Sequence, residues 1–243
     1  MKALVIIPAR MAATRLPGKP LADIHGQPMI IRCWRAAVAA KAGPVLVAAG
    51  DAEIAAAVTA AGGQAVLTDP DLPSGSDRVW QAACRFDPDA NFDVIVNLQG
   101  DMPAPDPEML RRALLPLADP AVDIATAAAE ITDPAERDNP AVVKVFAGFR
   151  AGAGIARALA FSRARIPHGD GPLYHHIGVY AFRRAALARF VALPETVLER
   201  RERLEQLRAL EDGMRIDVAL TPAAPMSVDT PEDLERARRL LAS

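Results

Sequence analysis

The chain has 243 residues, 51% of them hydrophobic and 24% charged, the balance of an ordinary globular protein whose core needs no disulfide or metal to hold it. The net charge of −2 argues against a nucleic-acid binder, which needs a basic surface stripe. No apolar run approaches a membrane span, and the apolar opening Ala3–Ile7 is too short for a signal-peptide core before Pro8 and Arg10.

A soluble, cytoplasmic protein is expected. Cys33 and Cys84 lie far apart, with neither a CxxC pair nor a zinc spacing, so both are expected to be reduced core residues. The length suits one large α/β domain or two small ones.

In chain order, Ala3–Pro8 is a continuous apolar run, as a strand buried on both faces requires. Pro17-Gly18-Lys19-Pro20 is turn chemistry, and His25-Gly26 predicts a second turn. A helix is predicted over Met29–Ala42, closed by Gly43-Pro44, and a strand over Val45–Ala48. Asp51 is a candidate cap for a helix reaching Ala61, where Gly62-Gly63 stops it. Gln64–Leu67 is a strand, Ser76–Arg85 a helix, Asp93–Leu98 a strand, and Pro107–Leu117 a helix bounded by prolines. This alternation predicts βαβ units: a doubly wound, mostly parallel sheet over the first ~120 residues, with ligands beyond the carboxyl ends of the strands.

The second half changes character. Ile124–Ala129, Val142–Phe146, Ala158–Phe161 and Ile177–Phe182 are strand candidates separated by longer polar segments. Helices are predicted over Arg183–Val191 and Leu198–Asp212, a strand over Ile216–Leu220 and a last helix over Thr230–Leu241. Arg200, Arg201 and Arg203 alternate with glutamates and predict a solvated helix face. No linker separates the halves, so a single α/β domain over 1–243 with an antiparallel extension is expected.

The loop Pro8–Pro20 carries the first chemical signal. It leaves the end of the first strand and concentrates three cations, Arg10, Arg15 and Lys19. Arginine offers a planar fork to phosphate oxygens and lysine a compact charge; Ala12 and Ala13 let backbone N–H groups approach a phosphate chain. Neither GxGxxG nor GxxxxGK[ST] is present.

The second signal is acidic. Val94–Leu98 runs into Gln99-Gly100-Asp101, which places a carboxylate at a strand end; Asp229 follows Met226-Ser227-Val228. Two aspartates suffice for magnesium, which takes a few carboxylates plus waters and substrate phosphates. Each has a plainer reading. Asp101 can start a turn before Pro103. Asp229 precedes a helix start with Thr230 as cap, Pro231 at the first position and acids in the first turn. Ser74-Gly75-Ser76-Asp77-Arg78 offers a turn into a helix N-terminus, suited to an anion or to a simple cap. No histidine spacing suits zinc, and no Gly-x-Ser-x-Gly elbow is present.

Together these residues resemble the 3-deoxy-manno-octulosonate (Kdo) cytidylyltransferase family. The likeness runs from Ile6-Ile7-Pro8-Ala9-Arg10 and Thr14-Arg15-Leu16-Pro17-Gly18-Lys19-Pro20-Leu21 through Ser74–Arg78 and Val94–Asp101. It continues in Asn139-Pro140, Val143-Lys144-Val145, Phe161-Ser162-Arg163-Ala164, His176–Tyr180, Leu204–Arg208 and Val228–Leu234. In the family's pattern Ala49-Gly50 stands where Thr-Asp is common.

The resemblance implies a nucleotide-diphospho-sugar transferase-like fold and transfer of CMP from CTP to Kdo, with pyrophosphate released and the product feeding lipopolysaccharide synthesis. It implies nucleotide binding by Ala9, Arg10, Thr14, Arg15, Lys19, Ser74, Gly75 and Arg78. Asp101 and Asp229 would hold Mg2+ and act with Arg15 in catalysis; Gln99, Arg163, His176, Tyr180, Glu205 and Gln206 would line the sugar pocket. It also implies a homodimer, a nucleotide-binding half over 1–120, and a sugar-binding and dimerisation half over 121–243. Two alternatives stay open: a cytidylyltransferase for another acidic sugar, of 8-amino-Kdo or sialic-acid type, and a catalytically inactive nucleotide-binding relative.

Overall fold

The computed structural model describes residues 1–12 and 15–242. The chain forms two compact units, one of residues 1–110 with 225–243 and one of residues 111–224. This division differs from the expected halves. The segment after 225 rejoins the first unit, because Val228 N donates to Asp101 O at 2.8 Å and Lys19 Nζ donates to Val228 O at 3.1 Å.

In the first unit, β1 (Ala3–Ala9) leads to a short hairpin, β2 (Asp23–Ile24) and β3 (Gln27–Pro28). His25 and Gly26 turn it with φ of 53° and 75°, the pair of positive angles that a tight hairpin demands. Then come α1 (Met29–Ala39), β4 (Val45–Ala49), α2 (Ala52–Ala60), β5 (Gln64–Leu67), α3 (Gly75–Phe86) and β6 (Val94–Leu98). The strands lie in the order β5-β4-β1-β6, all parallel, with Val5 opposite both Val45 and Val96. β1, β4 and β6 are buried almost throughout, which is why they are apolar without alternation. Gly100, just past β6, has no room for a side chain: a Cβ there would lie 3.0 Å from Pro8 O. The two strand ends that carry the site therefore approach closely.

The chain leaves this unit within α4 (Pro107–Leu114). The second unit contains β7 (Ile124–Glu130), α5 (Pro134–Arg137), β8 (Lys144–Ala147), β9 (Ile155–Ser162) and β10 (Tyr174–Arg183). It continues with α6 (Arg184–Ala192), α7 (Val197–Glu202), α8 (Leu207–Glu211) and β11 (Ile216–Thr221). Its strand order is β10-β7-β11-β9-β8; β7 and β11 are parallel and the remaining neighbours antiparallel. The final helix, α9 (Pro231–Leu240), returns to the first unit. This is the expected mixed α/β class.

The helix expected over Leu198–Asp212 is two helices. Arg203 adopts a left-handed φ of 56°, its N–H bonding Glu199 O at 2.7 Å. The break lets Arg208 turn back on Glu199, with Nε donating to Oε2 at 2.8 Å. Arg200, Arg201 and Arg203 are exposed as the charge alternation predicts, but Glu199 among them is buried. Asp51 also departs from expectation. It stands at the N-cap of α2 without a side-chain capping bond, and its carboxylate instead accepts from Met11 N at 2.8 Å.

Candidate active site

Four segments of the first unit converge at the carboxyl ends of β1 and β6. The loop after β1 is tied down at its start by Asp51 and at its base by Gly18 N, which bonds Met11 O at 3.1 Å. Gly18 is left-handed at φ 71° and opens a short 3-10 turn, Lys19–Leu21. That turn sends the Lys19 ammonium inward, where its side chain is only 18% exposed. Arg15 stays out at 66%. Thr14 lies outside the described residues.

Lys19 Nζ lies 3.1 Å from Asp229 Oδ1 and 3.6 Å from Asp101 Oδ2. Arg15 Nη2 lies 3.2 Å from the same Asp229 oxygen. Burial pushes the Asp101 carboxyl above the usual range; Lys19 opposes that shift and Asp229 adds to it. The plain reading of Asp229 as the residue before a helix start holds for its backbone, with Thr230 and Asp233 performing the capping, while its carboxylate is left to the two cations. Thr230 Oγ1 accepts from Asp233 N at 3.2 Å, and Asp233 Oδ2 accepts from Thr230 N at 3.0 Å and Asp229 N at 3.1 Å. The cap holds the Asp229 backbone and leaves its carboxylate facing the two cations.

A cleft of about 260 Å³ opens beside this cluster, lined among others by Ala9, Arg10, Lys19, Ser74, Gly75, Arg78, Gln99 and Asp101. Ser74 caps α3, accepting from Asp77 N at 3.2 Å while its hydroxyl donates to Asp77 Oδ2 at 2.6 Å. Arg78 is buried and donates to Thr68 Oγ1, to Asp69 O at 3.0 Å and to Pro70 O at 3.1 Å. Burial first, then the neighbouring Arg10, pulls its pKa down. Its side chain lines the cleft and ties the 68–70 segment to α3. Thr68, Asp51 and Asp233 were not singled out as site residues by the sequence. Only the T-x-x-D spacing at 230–233 gave a signal for any of them.

The expected sugar residues, Gln99 apart, lie in the second unit and are held differently. His176 is buried, and burial, with His175 adding, lowers its pKa to about 3. Thr126 Oγ1 donates to Val179 O at 2.7 Å and lies 2.9 Å from His176 Nε2. With the hydroxyl proton committed to Val179, the neutral imidazole is assigned as donor through Nε2. A bulge in β10 between Ile177 and Tyr180 creates this geometry. The His176 ring sits edge-on to Phe161 at 4.8 Å and 5.4 Å from Tyr180. Burial and the nearby Glu205 raise the Tyr180 phenol. Gln206 is 5% exposed, and its Nε2 has no hydrogen-bond partner among the described residues. Arg163 is tied to backbone: Nε to Glu202 O at 2.8 Å, Nη1 to Pro140 O at 3.0 Å and Nη2 to Arg203 O at 3.3 Å. Fully buried Lys144 braces the same region, donating to Asn139 O at 2.7 Å and Arg163 O at 3.3 Å.

Residues 4–216 match the model of a protein family described as cytidylyltransferase. A 3-deoxy-manno-octulosonate cytidylyltransferase of Paramagnetospirillum magneticum is 62% identical over 98% of this chain and 97% of its own length. One from Rhodospirillum rubrum is 63% identical over 98% and 95%. The chain belongs to the 3-deoxy-manno-octulosonate cytidylyltransferase family. It is accordingly a nucleotidyltransferase. A solved structure of CMP:2-keto-3-deoxy-manno-octonic acid synthetase, complexed with CTP, superimposes with a TM-score of 0.90 at 38% identity, covering 100% of this chain and 99% of that one.

Proposed function

We infer that the protein transfers CMP from CTP to Kdo, releasing pyrophosphate and supplying CMP-Kdo for lipopolysaccharide synthesis. The observation that carries this is identity above 60% over 98% of the chain to relatives bearing that activity in their names. In the reaction the anomeric 2-hydroxyl of the sugar attacks the α-phosphorus. A new P–O bond forms as the bond to the β-phosphate oxygen breaks, and pyrophosphate leaves. Such a centre needs positioning and charge stabilisation more than covalent help.

Arg10, Arg15 and Lys19 hold the triphosphate in this reading, with Ala9, Thr14, Ser74, Gly75 and Arg78 around the nucleotide. Support comes from the cleft beside the cations, where Ser74 and Gly75 stand at the N-terminus of α3. Asp101 and Asp229 are the proposed magnesium ligands. Their carboxylates already share one cation, Lys19, and two carboxylates with substrate phosphates and water make a donor set that suits Mg2+. Bound there, magnesium supplies neutralisation of charge on the phosphoryl oxygens. Arg15 is the outer cation, close enough to Asp229 to move to the phosphate chain.

Gln99, His176, Tyr180, Glu205 and Gln206 are the proposed sugar contacts, supported by the free amide of Gln206 and the neutral, donor-fixed His176. Arg163 belongs to the same proposal, with its contacts to three carbonyls making it first a brace for that region. The second unit also exposes Phe146, Ile155 and Leu159 on β8 and β9, an apolar surface consistent with a homodimer, and sedimentation would read that state. Activity in the cytoplasm is part of the same reading. No helix among the described residues is long and apolar enough to cross a membrane.

Pyrophosphate release should require CTP, a divalent metal and Kdo together. Equal or faster release with N-acetylneuraminate or 8-amino-Kdo would overturn the substrate assignment.

A further inference from the structure

In the free protein, the cations and carboxylates of the site are matched to one another. Lys19 Nζ is held by Asp229 Oδ1 at 3.1 Å, Val228 O at 3.1 Å and Asp101 Oδ2 at 3.6 Å. Arg15 adds a second positive contact to Asp229 Oδ1, at 3.2 Å. The functional reading above gives the cations to the triphosphate and the carboxylates to a metal. Each set is therefore already engaged by the other. The lysine ammonium lies between two carboxylates drawn from segments far apart in sequence, at the place where that reading puts a divalent ion.

We propose that Lys19 is the resident cation of the two-carboxylate site, and that a divalent metal enters tightly only when the triphosphate draws Lys19 away. The proposal rests on the reading of Asp101 and Asp229 as metal ligands. A metal binding alone must displace the ammonium from both carboxylates and then sit beside it and Arg15, so like charges crowd together. A triphosphate binding alone pulls Lys19 and Arg15 off the carboxylates and leaves those negative groups uncompensated near its own charge. Binding both exchanges partners, and every charge keeps an opposite neighbour. Metal and triphosphate are thus positively coupled, and the coupling is reciprocal. The competing role for Lys19 is a fixed pin between the 19–21 turn and the 228–229 segment, which predicts no gain in metal affinity on its removal.

The test uses Mn2+ as the probe, with free ion counted by electron paramagnetic resonance in nucleotide-free full-length protein. Lys19→Met and Lys19→Gln should each bind Mn2+ at least about tenfold more tightly than the wild type, since the competing positive charge is gone. Thermal melts on the same samples establish that the variants are folded, and two variants guard against one failing. Unchanged or weaker Mn2+ affinity in the folded variants, with wild-type Mn2+ binding abolished by Asp101→Asn, overturns the lysine proposal alone. Tight Mn2+ binding that survives Asp101→Asn combined with Asp229→Asn in the Lys19→Met background overturns the carboxylate site itself, and the proposal with it.

Discussion

The two units of the chain handle charge in opposite ways. Around the loop after β1, Arg10, Arg15, Lys19, Asp101 and Asp229 are half-buried or exposed, and the pairs Lys19 and Arg15 make with the carboxylates run from 3.1 to 3.6 Å. In the second unit, several charged groups are locked into the scaffold. Lys144 and Arg163 are tied to carbonyls, and Arg215 pairs with Asp217 through two bonds of 2.9 and 2.8 Å. Of the residues proposed above to contact the sugar there, His176, Tyr180 and Gln206 are neutral and Glu205 is the acidic one. A site that must exchange partners with a charged ligand keeps its ions loosely matched at strand ends. In the proposed sugar region, Lys144 and Arg163 are fixed internally, which leaves neutral donors and acceptors and the Glu205 carboxylate for a ligand.

The largest expected effect tests the first half of that contrast. Asp101→Asn keeps the shape and removes the charge. It should lower kcat at least about a hundredfold, in the range seen when one electrostatic contributor is lost from a preorganised site. The melting temperature should hold or rise, because burial already disfavours the charged form of Asp101. Asp229→Asn should behave likewise, since Thr230 and Asp233 retain the helix cap. A large fall in melting temperature with activity retained would make these carboxylates structural.

The second unit should respond in stability. Arg208 and Glu199 form a two-point pair with side chains 12% and 8% exposed. Glu199→Ala removes the carboxylate partner of the Arg208 guanidinium, which keeps Leu193 O at 3.4 Å and the Phe190 ring, and removes the capping-box acid of α7. A loss of roughly 3 kcal/mol is expected in urea unfolding, the cost typical of breaking such a pair on one side. A loss below about 1 kcal/mol would place this pair among the surface ion pairs.

Much of the site in the first unit was legible because strand ends in a parallel sheet are where such folds put ligands. A loop with three cations at the end of Ala3–Ala9 could be picked out with no knowledge of the remainder. The parallel strands and α2, α3 and α9 were also legible, from continuous apolar runs and from Gly or Pro punctuation. Less was legible after residue 130. The break between α7 and α8 depends on a left-handed Arg203 and on Arg208 folding back to Glu199, a tertiary pairing that no local pattern encodes. Similarly, Thr126 is one hydroxyl in an alanine-rich strand, and nothing local says that it fixes the tautomer of a histidine fifty positions away. Asp51 stands at the N-cap its residue type suggests, but its carboxylate anchors the loop at Met11, a tertiary contact that no local pattern encodes.

His176 gives a pH test of the neutral-donor half of the contrast. Its folded pKa, about 3, lies below the unfolded value near 6.5. The stability it brings is full above pH 6.5 and is lost as pH falls toward 3, because only the unfolded chain takes up the proton in that window. The slope from this one group approaches about 1.4 kcal/mol per pH unit. His176→Phe should flatten the acid limb of a stability-against-pH curve relative to wild type. An unchanged limb would mean that the imidazole titrates freely and is not held neutral.

The smallest expected effect is at Gly50, where the backbone of one strand end meets the side chains of two arginines. A Cβ added there would lie 2.8 Å from Arg78 Nη1, 3.1 Å from its Cζ and 3.2 Å from Arg10 Cβ. The end of an arginine can usually move aside. Arg78 cannot do so freely, because its guanidinium is bonded to Thr68, Asp69 and Pro70. Gly50 N also bonds Ala9 O at 2.8 Å, so the backbone itself has little room to retreat. Gly50→Ala should therefore cost about 1 kcal/mol, the low end of overpacking penalties. It should also raise KM for CTP more than KM for the sugar acid, because the displaced arginine lines the cleft proposed for the nucleotide. Arg78→Lys, which keeps charge but loses the forked bonding, should raise KM for CTP in the same direction and make Gly50→Ala less costly in combination. If the double variant shows simple additivity in thermal melts, the steric contact at Gly50 does not act through Arg78.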